Sequence, residues 1–456
     1  MKYIITSIQK GARVHQNFLS NMLLFREKHK VDKILVFIMR GSEKNNELHP
    51  TVLDFLRSRY VEVIEKDYNI HTKVKCYNTR VLPQNINPML GQATKLPSEY
   101  SYVLPATKVR YKSHPSLGVK PRFFNATGAM TYPNYNTIAK SSGQHVKRGL
   151  QAKQMHTYGF SYFQNDGKKF DVYPLSADKS GNFYYLNERY YNGKFTTGKY
   201  IEALVLGDWH FGDTNPEIRK RTIQLIEGLK PKRVVFHDLF DGYSINHHKQ
   251  GKLLEALRSN VSGREILKDE LLLLLKEIRY FANKFPNVKF IVPESNHDVF
   301  IRTYLDNKFH HYEPRNYLQA IKIIPRILDL KKVALKEALL TVGKSLPKNF
   351  IFLRENDAYR IGGKVKGVAI GQHGHKGVNG ARGSVTSFKR NNTKMITAHT
   401  HSPEIYENGM IVGTSTFLEL DYTIGGLSSW LNAHGVLYKN MTYSLLTIIP
   451  EKTKRT

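Results

Sequence analysis

Five short apolar runs in the second half of this chain each end in a small cluster of Asp, His or Asn residues, and this repeated pairing constrains the fold most. The runs are Ile201 to Leu206, Arg233 to Phe236, Val288 to Val292, Val365 to Ile370 and Lys394 to Thr397. Each has the length and composition of a buried strand. The clusters that follow are Gly207-Asp208-Trp209-His210, His237-Asp238-Leu239-Phe240-Asp241-Gly242, Ser295-Asn296-His297-Asp298, Gly371-Gln372-His373-Gly374-His375 and Ala398-His399-Thr400-His401. Helical signals lie between the runs. Asn215 is placed to cap a helix with Pro216 at its first position, and Ser262 with Glu265 makes a capping-box pattern ahead of a long helix that Pro286 ends. Strands alternating with helices predict an α/β sheet, and such sheets bind ligands at the carboxyl ends of their strands.

One Asp-x-His or His-x-His cluster is usually a helix cap or a satisfied polar pair. Several clusters, each directly after an apolar strand, need another reason. Mixed carboxylate oxygen and imidazole nitrogen is the donor set of a divalent metal pair that shares one carboxylate. Such ions, about 3.5–4 Å apart, hold a shared hydroxide and clamp the oxygens of a phosphoryl group during in-line displacement. The single cysteine, Cys76, rules out a thiolate cluster and argues against a structural zinc site.

Taken in order, the five clusters resemble the blocks of the calcineurin-like metallophosphoesterase superfamily, over about residues 201 to 420. The resemblance implies a two-sheet α/β sandwich as the core of the second half. It implies that Asp208 and His210 bind one ion together with His401, that Asp238 bridges, and that Asn296, His373 and His399 complete the second site. The implied cofactors are two divalent ions, Mn²⁺ foremost, with Mg²⁺ or another divalent ion as the alternative. His297 would face the scissile phosphate as general acid or transition-state contact, and Asp241 and Asp298 would fix imidazole orientation. His375 is left between metal and substrate, and His247 and His248 between the substrate cleft and a solvated loop. The chain departs from the family pattern at His237, Ser295 and Ala398, where glycines are usual, which puts the tight turns in doubt.

The first half reads differently. Tyr3 to Ile8, Lys33 to Met39 and Val61 to Ile64 are expected strands, with helices over Gln16 to Lys28 and Val52 to Arg59. From Tyr158 to Tyr200, turn signals at Asn165-Asp166-Gly167, Lys179-Ser180-Gly181 and Asn192-Gly193 predict hairpins. A boundary near Lys199 would divide the chain into a basic α+β domain, 1–199, and a catalytic domain, 200–456.

Charge addresses the substrate. The chain carries 69 Lys and Arg against 38 Asp and Glu, a formal net charge of +31. Residues 1–200 hold 31 and 13, and residues 201–456 hold 38 and 25, so both halves are basic. Tyr100 to Asn165 contains no acid but carries Lys108, Arg110, Lys112, Lys120, Arg122, Lys140, Lys147, Arg148 and Lys153. Tyr102, Tyr111, Phe123, Phe124, Tyr132, Tyr135, Tyr158 and Phe160 are interleaved with them. Cations and rings together suit a nucleic-acid surface, although taken singly each ring fits a core or strand position better. The lone cysteine points to a reducing compartment, the cytoplasm, and no apolar run spans a bilayer.

The leading expectation is therefore a metal-dependent DNase. The run from Thr414 to Tyr438, with Leu418-Glu419-Leu420-Asp421-Tyr422 and Ser428-Ser429-Trp430-Leu431-Asn432, and the basic N-terminal extension are similar to phage-encoded members of the superfamily. That likeness implies SbcD-like nuclease chemistry acting on host DNA in the host cytoplasm. Two alternatives stand beside it: a phosphodiesterase or phosphoprotein phosphatase of small substrates whose charge is incidental, and a nucleic-acid-binding structural protein with a degenerate phosphoesterase domain. Inhibition by DNA separates the first alternative from the DNase, and metal content separates the second.

Overall fold

Alternation along the strand Ile201–Val205 shows how the molecule is layered. Ala203 and Val205 face one hydrophobic core while Leu204 and Leu206 face another, because successive side chains leave a strand on opposite sides. The computed structural model describes all residues except 42–45, 118–121, 136–142, 167–169, 248–251, 308–313, 364–366, 390–392, 421–422 and 455–456. The chain is a mixed α/β protein of several sheets.

Ile201–Val205 is central in a six-stranded sheet. On one side it runs parallel with Arg233–Val235, then Lys289–Pro293, then Phe350–Leu353. On the other it pairs antiparallel with Ala433–Tyr438, which pairs with Tyr443–Thr447. The helix Leu267–Lys284 covers one face, burying Leu271, Leu274, Ile278 and Phe281 against Leu204, Phe236 and Phe290. The opposite face meets a ten-stranded sheet through Val205, Val235 and Ile291 packed with Ile396, Met410 and Val412.

That second sheet joins the two halves of the chain. Its strands Lys394–Thr397, Gly409–Ile411 and Glu404–Tyr406 continue into Val109–Ser113, Phe123–Thr127, Ser101–Leu104 and Val74–Cys76. The junction is the pairing of Glu404 with Lys112 and of Ile405 with Tyr111. The five-stranded sheet built on Lys2–Gln9 and Lys33–Met39 sends Tyr3, Ile5, Leu35 and Phe37 into the same core as Val205 and Ile396. The expected boundary near Lys199 thus falls between segments that share a sheet and a core.

Local signals account for most elements. Asn215 caps the helix Pro216–Leu229 by accepting the Glu217 amide. Asn192 and Gly193 both take positive φ, 48° and 67°, in the two-residue hairpin that pairs Tyr191 with Lys194. Strands form over Lys33–Met39 and Lys394–Thr397, and a helix over Gln16–Lys28, with the expected bounds.

Four expectations are corrected. Ser262 does not begin the long helix. It ends the helix Leu253–Val261, its hydroxyl donating to the Ser259 carbonyl, and Leu267–Lys284 starts without a side-chain cap. The strand expected at Val365 to Ile370 is the two-residue Val368–Ala369, with Val365 and Lys366 outside the described residues. The turn at Lys179 to Gly181 connects strands of different sheets, held by the Asp178 carboxylate, so it closes no hairpin.

The fourth concerns the acid-free segment, much of which is interior. Lys108 is 0% exposed and Arg110 and Arg122 each 6%, while Tyr102, Tyr111, Phe123, Phe124 and Phe160 are core residues. Lys112, Lys147, Arg148 and Lys153 remain on the surface, and Lys120 and Lys140 lie outside the described residues.

Candidate metal centre

The clusters meet where the two large sheets face each other. Their loops are tightly wound. His210, Asp238, His399 and His401 all have φ between 42° and 77°, a left-handed conformation that costs non-glycine residues energy and persists only where neighbours enforce it. Enforcement is visible in the backbone. The Trp209, His210 and Phe211 amides donate to the carbonyls of His237, Asp238 and Leu239. The Asp208 amide donates to the Gly413 carbonyl, and an added Cβ on Gly207 would meet that carbonyl at 2.8 Å. The turns beside His237 and Ala398 are therefore tight without glycine there, while Ser295 is extended backbone that caps the helix after it.

Around Asp208 the donor atoms converge. His401 Nε2 lies 3.0 Å from Asp208 Oδ2 and 3.1 Å from His210 Nε2, and His210 Nε2 lies 3.5 Å from Asp238 Oδ2. All four residues are buried, and one ligand atom from each lies within 4.8 Å of the others. On the far side of Asp238, its Oδ2 is 3.2 Å from His373 Nε2. Asn296 Oδ1 stands 3.0 Å from both His373 Nε2 and His399 Nδ1. Asp238 Oδ2 thus lies between two groups of donors, within reach of an imidazole from each.

The donor set fits a divalent pair. It combines carboxylate and amide oxygens with imidazole nitrogens, and the buried Asp208 Oδ1 and Asp238 Oδ1 have no hydrogen-bond partner among the described residues. Burial would raise the Asp208 and Asp238 pKa values, yet the neighbouring histidines hold both below the ordinary carboxylate range. His210 is pushed up to about 9, because Asp238 and Asp241 outweigh its burial. His399 is lowered to about 4 by burial and by His373. Like-charged oxygens this close are what a bound cation neutralises.

Asp241 organises the rim. Its Oδ1 is 3.2 Å from His210 Nδ1, and its backbone carbonyl accepts from His297 Nδ1 at 2.6 Å. A carbonyl only accepts, so His297 carries its proton on Nδ1 and keeps Nε2 for exchange. Asp298 is placed differently from the expectation. It is the third residue of the helix Asn296–Asp306 and forms a capping box with Ser295, so among the described residues its hydrogen bonds serve the helix start and no imidazole.

His375 donates toward Glu355, Nε2 to Oε1 at 2.9 Å, and its ring centre is 5.5 Å from that of His373. His247 packs edge-on against Phe300, and His248 lies outside the described residues. Sequence reading missed three neighbours. Arg264 ties Asp213 to Asp241 at 2.8 and 3.2 Å and stacks over Tyr243, Glu355 holds His375 and Lys376, and Trp430 lies 4.2 Å from the His401 ring. Trp430 stands in a run already singled out, whereas nothing in the sequence brings Arg264 or Glu355 to the site.

No family model matches the chain. The sequence is 27% identical to "Protein A1" of Escherichia phage T5 over 472 residues, which covers 98% of this chain and 81% of that protein. Among solved structures, the chain is similar to Vps29 of Chaetomium thermophilum at a TM-score of 0.24 and 13% identity, covering 42% of this chain and 99% of that one. A single-mutant Vps29 of Entamoeba histolytica gives a TM-score of 0.23 at 12% identity, covering 40% and 95%.

Proposed function

We propose that this chain is a two-metal phosphoesterase of the calcineurin-like type and that its substrate is DNA. The observation that carries the reading is the position of Asp238 Oδ2, 3.5 Å from His210 Nε2 and 3.2 Å from His373 Nε2. One carboxylate between two imidazole-bearing groups is what a bridged pair requires. Asp208, His210 and His401 would hold one ion, Asn296, His373 and His399 the other, and Asp238 both. Bound there, a divalent pair supplies Lewis-acid stabilisation of phosphoryl oxygens and acidifies water.

The protein's own residues do the rest. Asp241 holds the His210 ring through Nδ1 and the His297 ring through its carbonyl, so both imidazoles are oriented before substrate arrives. His297, with Nδ1 committed to that carbonyl, exchanges a proton through Nε2 with the departing oxygen. DNA as substrate is supported by the net charge of +31, which favours polyphosphate through counterion release. The similarity to a phage protein supports a phage origin.

A nucleotide phosphodiesterase is the second reading, favoured by the burial of Lys108, Arg110 and Arg122. Digestion of linear and closed circular DNA with Mn²⁺, beside Asp238→Asn and a chelated control, tests the first reading. Degradation lost in both controls supports it. Intact DNA with metal bound overturns it, and nucleotide turnover that DNA does not inhibit selects the second.

A further inference from the structure

Beside the proposed second metal group lies an open cavity of about 350 Å³ that the phosphoester chemistry leaves unused. That is within the usual range for small-ligand sites, about 300–1,000 Å³. His373 and His375 form part of its wall, so a molecule inside sits one imidazole away from the group around Asp238. Glu294, Glu355, Gln372, Lys376, Phe388 and Thr397 are among the other lining residues.

Its carboxylates disfavour a phosphate. Two carboxylates stand against one lysine, and that lysine is already engaged, Lys376 Nζ donating to Glu355 Oε2. Glu355 is fixed three ways: His375 Nε2 meets Oε1 at 2.9 Å, Lys376 holds Oε2, and its own amide donates to Glu294 Oε2 at 3.2 Å. Such a carboxylate is presented as an acceptor with little freedom to move. Thr397 adds an unsatisfied group, because its side chain is 0% exposed and Oγ1 has no hydrogen-bond partner among the described residues. A buried hydroxyl without a partner is destabilising, and a ligand that bonds to it relieves that cost. Phe388 supplies an apolar wall.

We infer that this cavity is a nucleobase subsite, taking the base of the nucleotide whose phosphate lies at the metal pair, with preference for a base bearing an exocyclic amino group. Carboxylates accept from the amino group of cytosine, and thymine offers none at that position. The inference rests on the proposed phosphoesterase reading and deepens it. A base buried in a side cavity is an unpaired base, so the substrate is single-stranded DNA or duplex from which the nucleotide is extruded.

The experiment titrates the full-length chain, Mn²⁺-loaded and metal-free, with dCMP, dTMP and 2-deoxyribose 5-phosphate by calorimetry. The expected result is dCMP binding at least tenfold tighter than deoxyribose phosphate and at least threefold tighter than dTMP. Glu355→Ala should remove both advantages, and the near-isosteric Thr397→Val should reduce them with the Mn²⁺ content unchanged. Equal affinity for dCMP and deoxyribose phosphate, or an advantage that survives both substitutions, overturns the subsite. Equal affinity for dCMP and dTMP overturns the amino-group preference. Hydrolysis of bis(4-nitrophenyl) phosphate, which has no base, reports on the metal site separately. Its absence would sink the phosphoesterase reading, while metal-free deoxycytidine against 2-deoxyribose still decides the cavity.

Discussion

The Nε2 atoms of His210 and His401 face each other at 3.1 Å although 191 residues separate the two in sequence. Two imidazole nitrogens this close would both reach a single cation placed between them. Asp208 Oδ2, 3.0 Å from His401 Nε2, completes the corner. Replacing His401 with Ala should therefore remove one ion and spare the other. Elemental analysis after reconstitution should fall from about two Mn²⁺ per chain to about one. An unchanged count would place His401 outside the site.

Asp238 occupies a different position, shared by both groups. Asp238→Asn should weaken both ions together and lower phosphoester hydrolysis by at least about a thousandfold. Isothermal titration with Mn²⁺ checks the first effect and bis(4-nitrophenyl) phosphate turnover the second. Loss of a single ion with the other intact would show that Asp238 does not bridge.

Arg264 reaches the centre through Asp241. Without its guanidinium, Asp241 Oδ2 loses a 3.2 Å partner, and the carboxylate that orients His210 is freer to turn. Arg264→Ala should cost about 10–100-fold in kcat with a smaller change in KM. Lysine should recover only part of this, since it lacks the fork that spans Asp213 and Asp241. A kcat equal to wild type would make Arg264 a packing residue only.

Metal removal has a stability consequence. Ions that bind the folded chain alone add RT ln(1 + [L]/Kd), about 2.7 kcal/mol per site at a hundredfold excess over Kd. Chelation should lower the urea midpoint and Mn²⁺ should restore it in a saturable way. A midpoint indifferent to both would contradict binding to the folded state.

Lys108 supplies the pH test, away from the metal residues. Burial, and then Arg110, bring its pKa down from 10.5 to about 7, with Nζ donating to Thr107 Oγ1 and the Pro83 carbonyl. The folded pKa is depressed, so the contribution of this group is fully present above about 10.5 and is lost as pH falls toward 7. Between those values the unfolded chain holds more protons, and stability should rise with pH by at most about 1.4 kcal/mol per unit. Lys108→Met should remove that slope when unfolding is compared at pH 7.5 and 9.5. An unchanged slope would mean the ammonium is solvated.

Local sequence determined a good deal here. Asn215-Pro216 and Asn192-Gly193 act through their own side chains and dihedral angles, so they read the same in the chain and in the fold. The five apolar runs place their clusters at strand ends, and Asp208, His210, Asp238, Asn296, His373, His399 and His401 could all be named before any contact was known. Ser262 failed because a capping box needs only four residues, and the same four also suit a helix end followed by a loop.

Tertiary packing decided the remainder. Composition gives charge but no depth, so Lys108, Arg110 and Arg122 counted toward a basic surface until strand pairing put them inside. Likewise no local signal joins residues 111 and 405, 241 and 264, or 355 and 375. The strand ends and their ligand-type residues were written in the sequence because period-2 burial and turn chemistry act over a few residues. Which nitrogen meets which oxygen was settled by sheets that bring distant segments within 3–4 Å, since imidazole and carboxylate interactions depend on that distance and not on order along the chain.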